Sequence, residues 1–284
     1  MAVVAATHFS DRLGDAVARR RTQLVVGLDP VLERLPPELD GDIGAFCRGI
    51  VDAVEPYAVA IKPQSAFFEA HGADGMRTFW DVCAYARAAG LLVIADAKRG
   101  DIGSTAEAYA ETFSGRADAV TVNPYLGGDS VAPFIEAARR DGSGVFCLVK
   151  TSNPGSADVQ DVMLADGRLV WERVAELVGL WGAEEVGHGG LSAVGAVVGA
   201  TFPEQIAGAR RLLPNAPFLL PGIGAQGGSP AGVAAAFTDN PASALVSASR
   251  SVIYAVDVSG GDWRSAAAAE AERLAGEIWR AAGA

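Results

Sequence analysis

A (β/α)8 barrel is the fold class that this 284-residue sequence predicts. Three observations carry the prediction. Short apolar runs rich in β-branched residues recur eight times along the chain. Amphipathic helical patterns fall between them, and one further helix near 8–20 precedes the first run. Most of the runs are hydrophobic almost without interruption, as strands are when both faces of a parallel sheet are covered. Eight strand-then-helix units usually occupy about 250 residues. A doubly wound open sheet is the architectural alternative.

The strands are expected at 24–29 (LVVGLD), 57–62 (YAVAIK), 91–96 (LLVIAD), 119–123 (AVTVN), 144–149 (GVFCLV), 193–199 (AVGAVVG), 216–220 (APFLL) and 244–248 (ALVSA). Between the second and third of these, segment 74–89 places Met76, Phe79, Trp80 and Cys83 at helical spacing. Segment 169–181 repeats the pattern with Val170, Val174, Leu177, Val178 and Trp181. Ser104 and Glu107 have the spacing of a capping box and predict a helix start at 104. The longest irregular piece, 152–168, follows the fifth strand, and loops of that length are commonly functional. A Gly-rich stretch at 182–192 reads as a turn. Neither a linker nor a low-complexity tract interrupts the chain, so residues 1–284 read as a single domain.

Composition narrows the function. Half of the residues are hydrophobic, and 34 acidic against 23 basic side chains leave a net charge of −11. That acidity argues against nucleic acid or an anionic membrane as partner, since either needs a basic face. Apolar runs fall short of the roughly 18–20 residues that span a bilayer, and the opening segment is too charged for a secretory signal. Cys47, Cys83 and Cys147 lack metal-binding or redox spacing and read as reduced core residues, which points to the cytoplasm.

The basic residues are informative in kind. Only Lys62, Lys98 and Lys150 are lysines, and all the others are arginines. Each lysine ends an apolar run or nearly so: YAVAIK, LLVIADAK and GVFCLVK. An ammonium is compact and tunable where a guanidinium is not, so lysines kept at such points are candidates for a site. Lys150 can alternatively cap its strand.

In a barrel of this type the site lies at the C-terminal strand ends. Reading those ends gives Asp29, Lys62, Asp96, Lys98, Asn123, Ser152, the run PGIGAQGG at 221–228, and Arg250. DAKRGD (96–101) is the centre. Simple alternation along a strand puts Asp96 and Lys98 on one face, with Asp101 beyond Gly100 in the turn. The Gly-rich run after the seventh strand and Arg250 after the eighth suit phosphate, through close backbone approach and a charged fork. His8, His71 and His188 lack metal-ligand spacing, G-x-S-x-G is absent, and Gly222-Ile223-Gly224 lacks the rest of a dinucleotide fingerprint.

This ordered set, with the wording DAKRGDIGSTAEAYA, resembles the orotidine 5'-phosphate decarboxylase family over nearly the whole chain, its longer bacterial subgroup most of all. The resemblance implies a homodimeric (β/α)8 barrel, a TIM barrel, that converts orotidine 5'-monophosphate to UMP and carbon dioxide without cofactor or metal. By position, Lys62, Asp96, Lys98 and Asp101 match the family's alternating charge network, with Lys98 as proton donor. Asp101, Ile102 and Thr105 match residues that reach the partner subunit's site. Asp29 matches the carboxylate that holds the ribose, Ser152 the serine at the pyrimidine, and Pro221, Gln226 and Arg250 the loop and phosphate contacts. Two departures stand out: Ser249 occupies a position where many members have Gly, and 152–168 is longer than in compact members. The rival readings are a metal-dependent sugar-phosphate decarboxylase or aldolase on a related barrel, and a non-catalytic phosphate-binding barrel.

Overall fold

Eight strands close into a barrel in chain order: β1 (Leu24–Leu28), β2 (Ala60–Pro63), β3 (Leu92–Arg99), β4 (Ala119–Val122), β5 (Gly144–Lys150), β6 (Val194–Val198), β7 (Phe218–Pro221) and β8 (Ala244–Ala248). The computed structural model describes residues 7–223 and 228–283. Every adjacent pair is parallel, and β8 pairs with β1 to complete the ring. The predicted fold class is the observed one. β2 starts later than its apolar run because Tyr57 and Ala58 donate their backbone N–H groups to Val54 O, finishing the preceding helix Ile43–Val54.

Two apolar layers result from strands buried on both faces. The outer layer lies between the barrel and its helices. Helix Gly72–Ala88 buries Phe79, Val82, Cys83 and Ala86 there, with Met76 and Trp80 partly covered. Helix Val170–Trp181 is rotated from the predicted stripe: Trp171, Ala175 and Val178 form its buried face, while Val174 and Trp181 flank it. The large indole of Trp171 wins the inner position over β-branched Val170.

The inner layer fills the barrel with Val25, Ala60, Ile94, Ala119, Phe146, Val197, Leu219 and Leu245. Helix Phe9–Arg20 adds Phe9, Leu13, Ala16 and Val17 from below, and so plugs the N-terminal end. His8 caps this helix by accepting from Ser10 N, and the Phe9 ring meets Phe146 edge-on at 6.0 Å. Burying a Phe of this kind stabilises a fold by about 1.5–3 kcal/mol. With the bottom sealed, any cavity must open at the other end.

Two local expectations need correction. The capping box at Ser104 and Glu107 is not formed: helix Gly103–Phe113 begins one residue earlier, which leaves Ile102 at the cap without a side-chain acceptor. Segment 152–168 is not structureless either. It contains the 3-10 turn Pro154–Asp158 and an antiparallel bridge from Met163 to Leu169. The 182–192 stretch does turn back, with Val186 bridged to Ser192. Among the described residues, no helix is long and apolar enough to cross a membrane.

Candidate active site

A cavity of about 660 Å³ opens at the C-terminal strand ends. Its floor is the top of the inner layer, where Leu148, Val197 and Leu219 face upward. Its walls carry Asp29, Lys62, Asp96, Lys98, Ser152, Pro221 and Arg250, one strand end after another. The inward-facing side chains are thus apolar at the floor, and the charged groups sit at the C-terminal ends of the strands.

The centre is a row of three charges. Asp96 on β3 is 5 % exposed and Lys62 on β2 is 6 % exposed. Lys62 Nζ donates to Asp96 Oδ2 at 2.5 Å, and Lys98 Nζ donates to Asp96 Oδ1 at 2.5 Å. One carboxylate is therefore shared by two ammonium groups, one deep and one at the cavity wall. Burial opposes the Asp96 charge, but Lys62 and Lys98 outweigh it and hold the carboxyl well below the ordinary carboxylate range. Burial likewise opposes the Lys62 charge. The Asp96 and Asp29 carboxylates overcome that, so the ammonium holds its proton more tightly than an ordinary lysine.

Lys98 does not reach this place by plain alternation. Ala95 pairs with Val120 but Arg99 pairs with Val122, so β3 carries four residues against two on β4. Lys98 takes a left-handed backbone, with φ +47°. For a lysine such a conformation costs about 1–3 kcal/mol and persists only where its surroundings fix it. Here Thr121 does so: its hydroxyl accepts from Lys98 N at 2.9 Å and donates to Asp96 Oδ1 at 3.0 Å. The Lys98 side chain keeps 42 % of its surface exposed, facing the cavity.

Asp29 stands at the end of β1. Its Oδ2 accepts from Ser249 Oγ at 2.5 Å, and its backbone carbonyl accepts from Tyr254 Oη at 3.2 Å. Asp29 Oδ1 is buried and has no protein partner among the described residues. Ser249 fits only because residue 27 is glycine: a Cβ there would lie 2.7 Å from Ser249 Cβ. The serine hydroxyl is thereby turned onto Asp29 and the Gly27 carbonyl.

Comparison with known proteins agrees with this geometry. The model of the orotidine 5'-phosphate decarboxylase / HUMPS family matches residues 22–260. An orotidine 5'-phosphate decarboxylase of Deinococcus radiodurans is 44% identical over 277 residues, covering 95% of this chain and 98% of its own. One from Rhodopirellula baltica is 44% identical over 268 residues, covering 87% and 88%. The solved structure of Leishmania donovani OMP decarboxylase superposes with a TM-score of 0.82 at 35% identity, over 98% of this chain and all of the other. The chain belongs to the orotidine 5'-phosphate decarboxylase / HUMPS family.

Of the positions matched to that family by sequence, the fold gathers Lys62, Asp96, Lys98, Asp29, Ser152, Pro221 and Arg250 around one cavity. It does not bring Asp101 into the row: the Asp101 carboxylate accepts from Ile102 N at 2.8 Å and stays on the rim. Ile102, 57 % exposed, and Thr105 lie beside it, outside the cavity wall. Gln226 falls outside the described residues. Asn123 is an N-cap, accepting from Tyr125 N at 3.1 Å, and does not line the cavity.

Sequence reasoning missed Thr121, whose signal was a hydroxyl two residues before Asn123 in the otherwise apolar run AVTVN. It also missed the grip of Ser249 on Asp29, which depends on two distant strand ends and leaves no local pattern. Among the described residues, no group of three His, Cys, Asp or Glu side chains is placed to hold a metal ion.

Proposed function

We propose that this chain decarboxylates orotidine 5'-monophosphate to UMP and carbon dioxide, the last step of de novo pyrimidine biosynthesis, with Lys98 donating the proton and no cofactor taking part. The carrying observation is the Lys62–Asp96–Lys98 row. Fold alone would not choose among the activities that barrels of this family host.

Cleavage of the C6–carboxylate bond leaves its electron pair on C6, with no ring position to delocalise it well. The Lys98 ammonium at that carbon stabilises the developing charge and then transfers a proton to it, while carbon dioxide departs. Lys98, left as the neutral amine, recovers a proton from solvent. Asp96 has both oxygens engaged by ammonium groups, so it keeps Lys98 oriented and charged and faces the departing carboxylate with like charge. Lys62 holds the Asp96 carboxylate from the buried side.

The remaining residues bind parts of the substrate far from the broken bond. Asp29, on the cavity wall, holds a ribose hydroxyl. Ser152 serves the pyrimidine, and Pro221, Gln226 and Arg250 serve the phosphate. Binding energy from these remote groups supports catalysis when it orders the charges around C6. That help matters for a reaction that needs a barrier reduction towards the upper end of ~8–23 kcal/mol.

The active unit in this reading is a homodimer with shared sites. Ile102, Tyr125 and Leu126 expose apolar surface on neighbouring loops after β3 and β4, where a second copy would cover them. Asp101, Ile102 and Thr105 would then complete the partner's cavity. Three buried free thiols fit a cytoplasmic enzyme; burial pushes Cys83 and Cys147 up to about 12.

The deciding experiment follows the absorbance of orotidine 5'-monophosphate with and without a chelator. Turnover unaffected by the chelator is the expected result. Turnover lost to the chelator refutes the metal-free mechanism, and absence of turnover in both refutes the assignment and favours the sugar-phosphate reading.

A further inference from the structure

Lys150, the third lysine of the chain, takes no part in the charge row. It ends β5, its side chain is 2 % exposed, and it does not line the cavity. Its ammonium donates to Asp161 Oδ1 at 2.8 Å, Asp161 Oδ2 at 2.9 Å and Ser156 Oγ at 3.2 Å. An ammonium has three donors, and here three oxygens take them. A compact ammonium, with its three donors spread around one nitrogen, suits three acceptors gathered at one point.

The loop held by this ammonium carries part of the cavity wall. Thr151, Ser152, Asn153 and Gln160 all line it. A second set of bonds staples the loop to itself: Gln160 Oε1 accepts from Thr151 N at 2.9 Å, and Gln160 Nε2 donates to Thr151 Oγ1 at 2.8 Å. On the opposite side Ser152 is pressed against the end of β6. A Cβ at residue 199 would lie 3.0 Å from Ser152 N, so Gly199 leaves the room it needs. Gly199 N in turn donates to Lys150 O at 2.8 Å. Ser152 therefore sits between a glycine seat on one side and a loop drawn inward by the buried Lys150 ammonium on the other.

We propose that Lys150 is a positioning residue: by binding Asp161 and Ser156 it fixes the 151–161 loop so that Ser152 and Gln160 present a set geometry to the pyrimidine. This rests on the reading of Ser152 as a pyrimidine contact. A lysine that only ended its strand would affect stability and all ligands together, whereas a loop clamp acts on the base end of the substrate and spares the phosphate end.

The test measures kcat and KM for orotidine 5'-monophosphate, calorimetric affinity for UMP and for ribose 5-phosphate, and Tm, in Lys150→Met, Asp161→Asn and Ser152→Ala. Asp161 is a third exposed, so Asp161→Asn loosens the same bond from its solvent side and keeps the fold if Lys150→Met does not. Misplacing a positioned group by an ångström can cost about 10²-fold in rate. The expected result is a loss approaching that size in kcat/KM for both clamp variants. It comes with weakened UMP binding, ribose 5-phosphate affinity within about twofold of wild type, and a double variant no worse than the weaker single. Equal losses for UMP and ribose 5-phosphate, or wild-type kinetics in Asp161→Asn, overturn the clamp. If Ser152→Ala leaves UMP binding intact, the pyrimidine-contact reading itself fails, and the clamp loses its object. If Ser152→Ala is damaging while both clamp variants are silent, only the clamp fails.

Discussion

The Thr121 hydroxyl accepts from the Lys98 backbone at 2.9 Å and donates to Asp96 Oδ1 at 3.0 Å, so one side chain fixes both the left-handed turn of the strand and the carboxylate that the turn serves. Thr121→Val removes both bonds at nearly constant volume. It leaves Lys98 N without its acceptor and frees the strained backbone to relax. Each such bond is worth about 0.5–1.5 kcal/mol, so kcat should fall by about 10–100-fold with KM little changed. Thr121→Ser keeps the hydroxyl and should retain most of the rate. Steady-state kinetics on the two variants decide the point, and equal rates in both would remove Thr121 from the machinery.

Lys98→Ala should abolish turnover while leaving UMP affinity close to that of wild type. In the proposed mechanism its ammonium acts on charge that exists only in the transition state, so the loss belongs in kcat. Calorimetric UMP binding set against a sensitive single-turnover assay separates the two effects. Parallel losses would make Lys98 a structural lysine.

Arg250→Ala should weaken the phosphorylated substrate strongly and the corresponding nucleoside hardly at all. The charge-assisted hydrogen bond that the guanidinium would give to a phosphate oxygen does not exist for a ligand without phosphate, so truncation would have nothing to remove there. Comparing kcat/KM for the two substrates tests it, and similar losses on both would place the phosphate elsewhere.

Asp96 gives a pH signature. Against the opposing effect of burial, Lys62 and Lys98 hold its folded-state pKa below the ordinary value near 3.9. The stability it contributes is present above the unfolded value and is lost as pH falls through the folded one. Wild type should therefore exceed Asp96→Asn in urea-unfolding free energy at pH 7. The gap should narrow steadily below about pH 4. A gap independent of pH from 7 to 3 would mean that Asp96 gains nothing from its two ammonium partners.

Shared sites make a sharper forecast. Lys98→Ala and Asp101→Ala should each be nearly inactive alone. Mixed after reversible dissociation, random pairing makes half of the dimers hybrids, and each hybrid has one site with both lesions and one with neither. About a quarter of wild-type activity should return. If Asp101 served its own barrel, every site would keep a lesion and nothing would return. Confirmed subunit exchange without recovered activity would refute sharing and leave the decarboxylase assignment in place.

The barrel was legible because each strand is a nearly unbroken apolar run, a pattern that only two-sided burial requires. Lys62, Asp96 and Lys98 were legible because polar groups at the ends of such runs have few reasons to be there. The bulge at Lys98 was not, since two extra residues against β4 are a property of the pairing and leave the β3 sequence looking regular. The expected capping box failed for a related reason. Ser104 and Glu107 have the right spacing, but the turn after Gly100 delivers the chain into its helix at Gly103. Lys150 was visible as an oddity, yet its partner Asp161 lies across a loop whose path no periodicity encodes.

The helix Phe9–Arg20 stoppers the barrel from below, and this makes the reaction chamber a blind well with one mouth. In the proposed reaction, orotidine 5'-monophosphate bound base-first would block that mouth with its own phosphate. The carbon dioxide released beneath it would have no rear exit. The gas would then have to slip out past the nucleotide or wait until UMP leaves, so the sealed floor makes the two products share one way out.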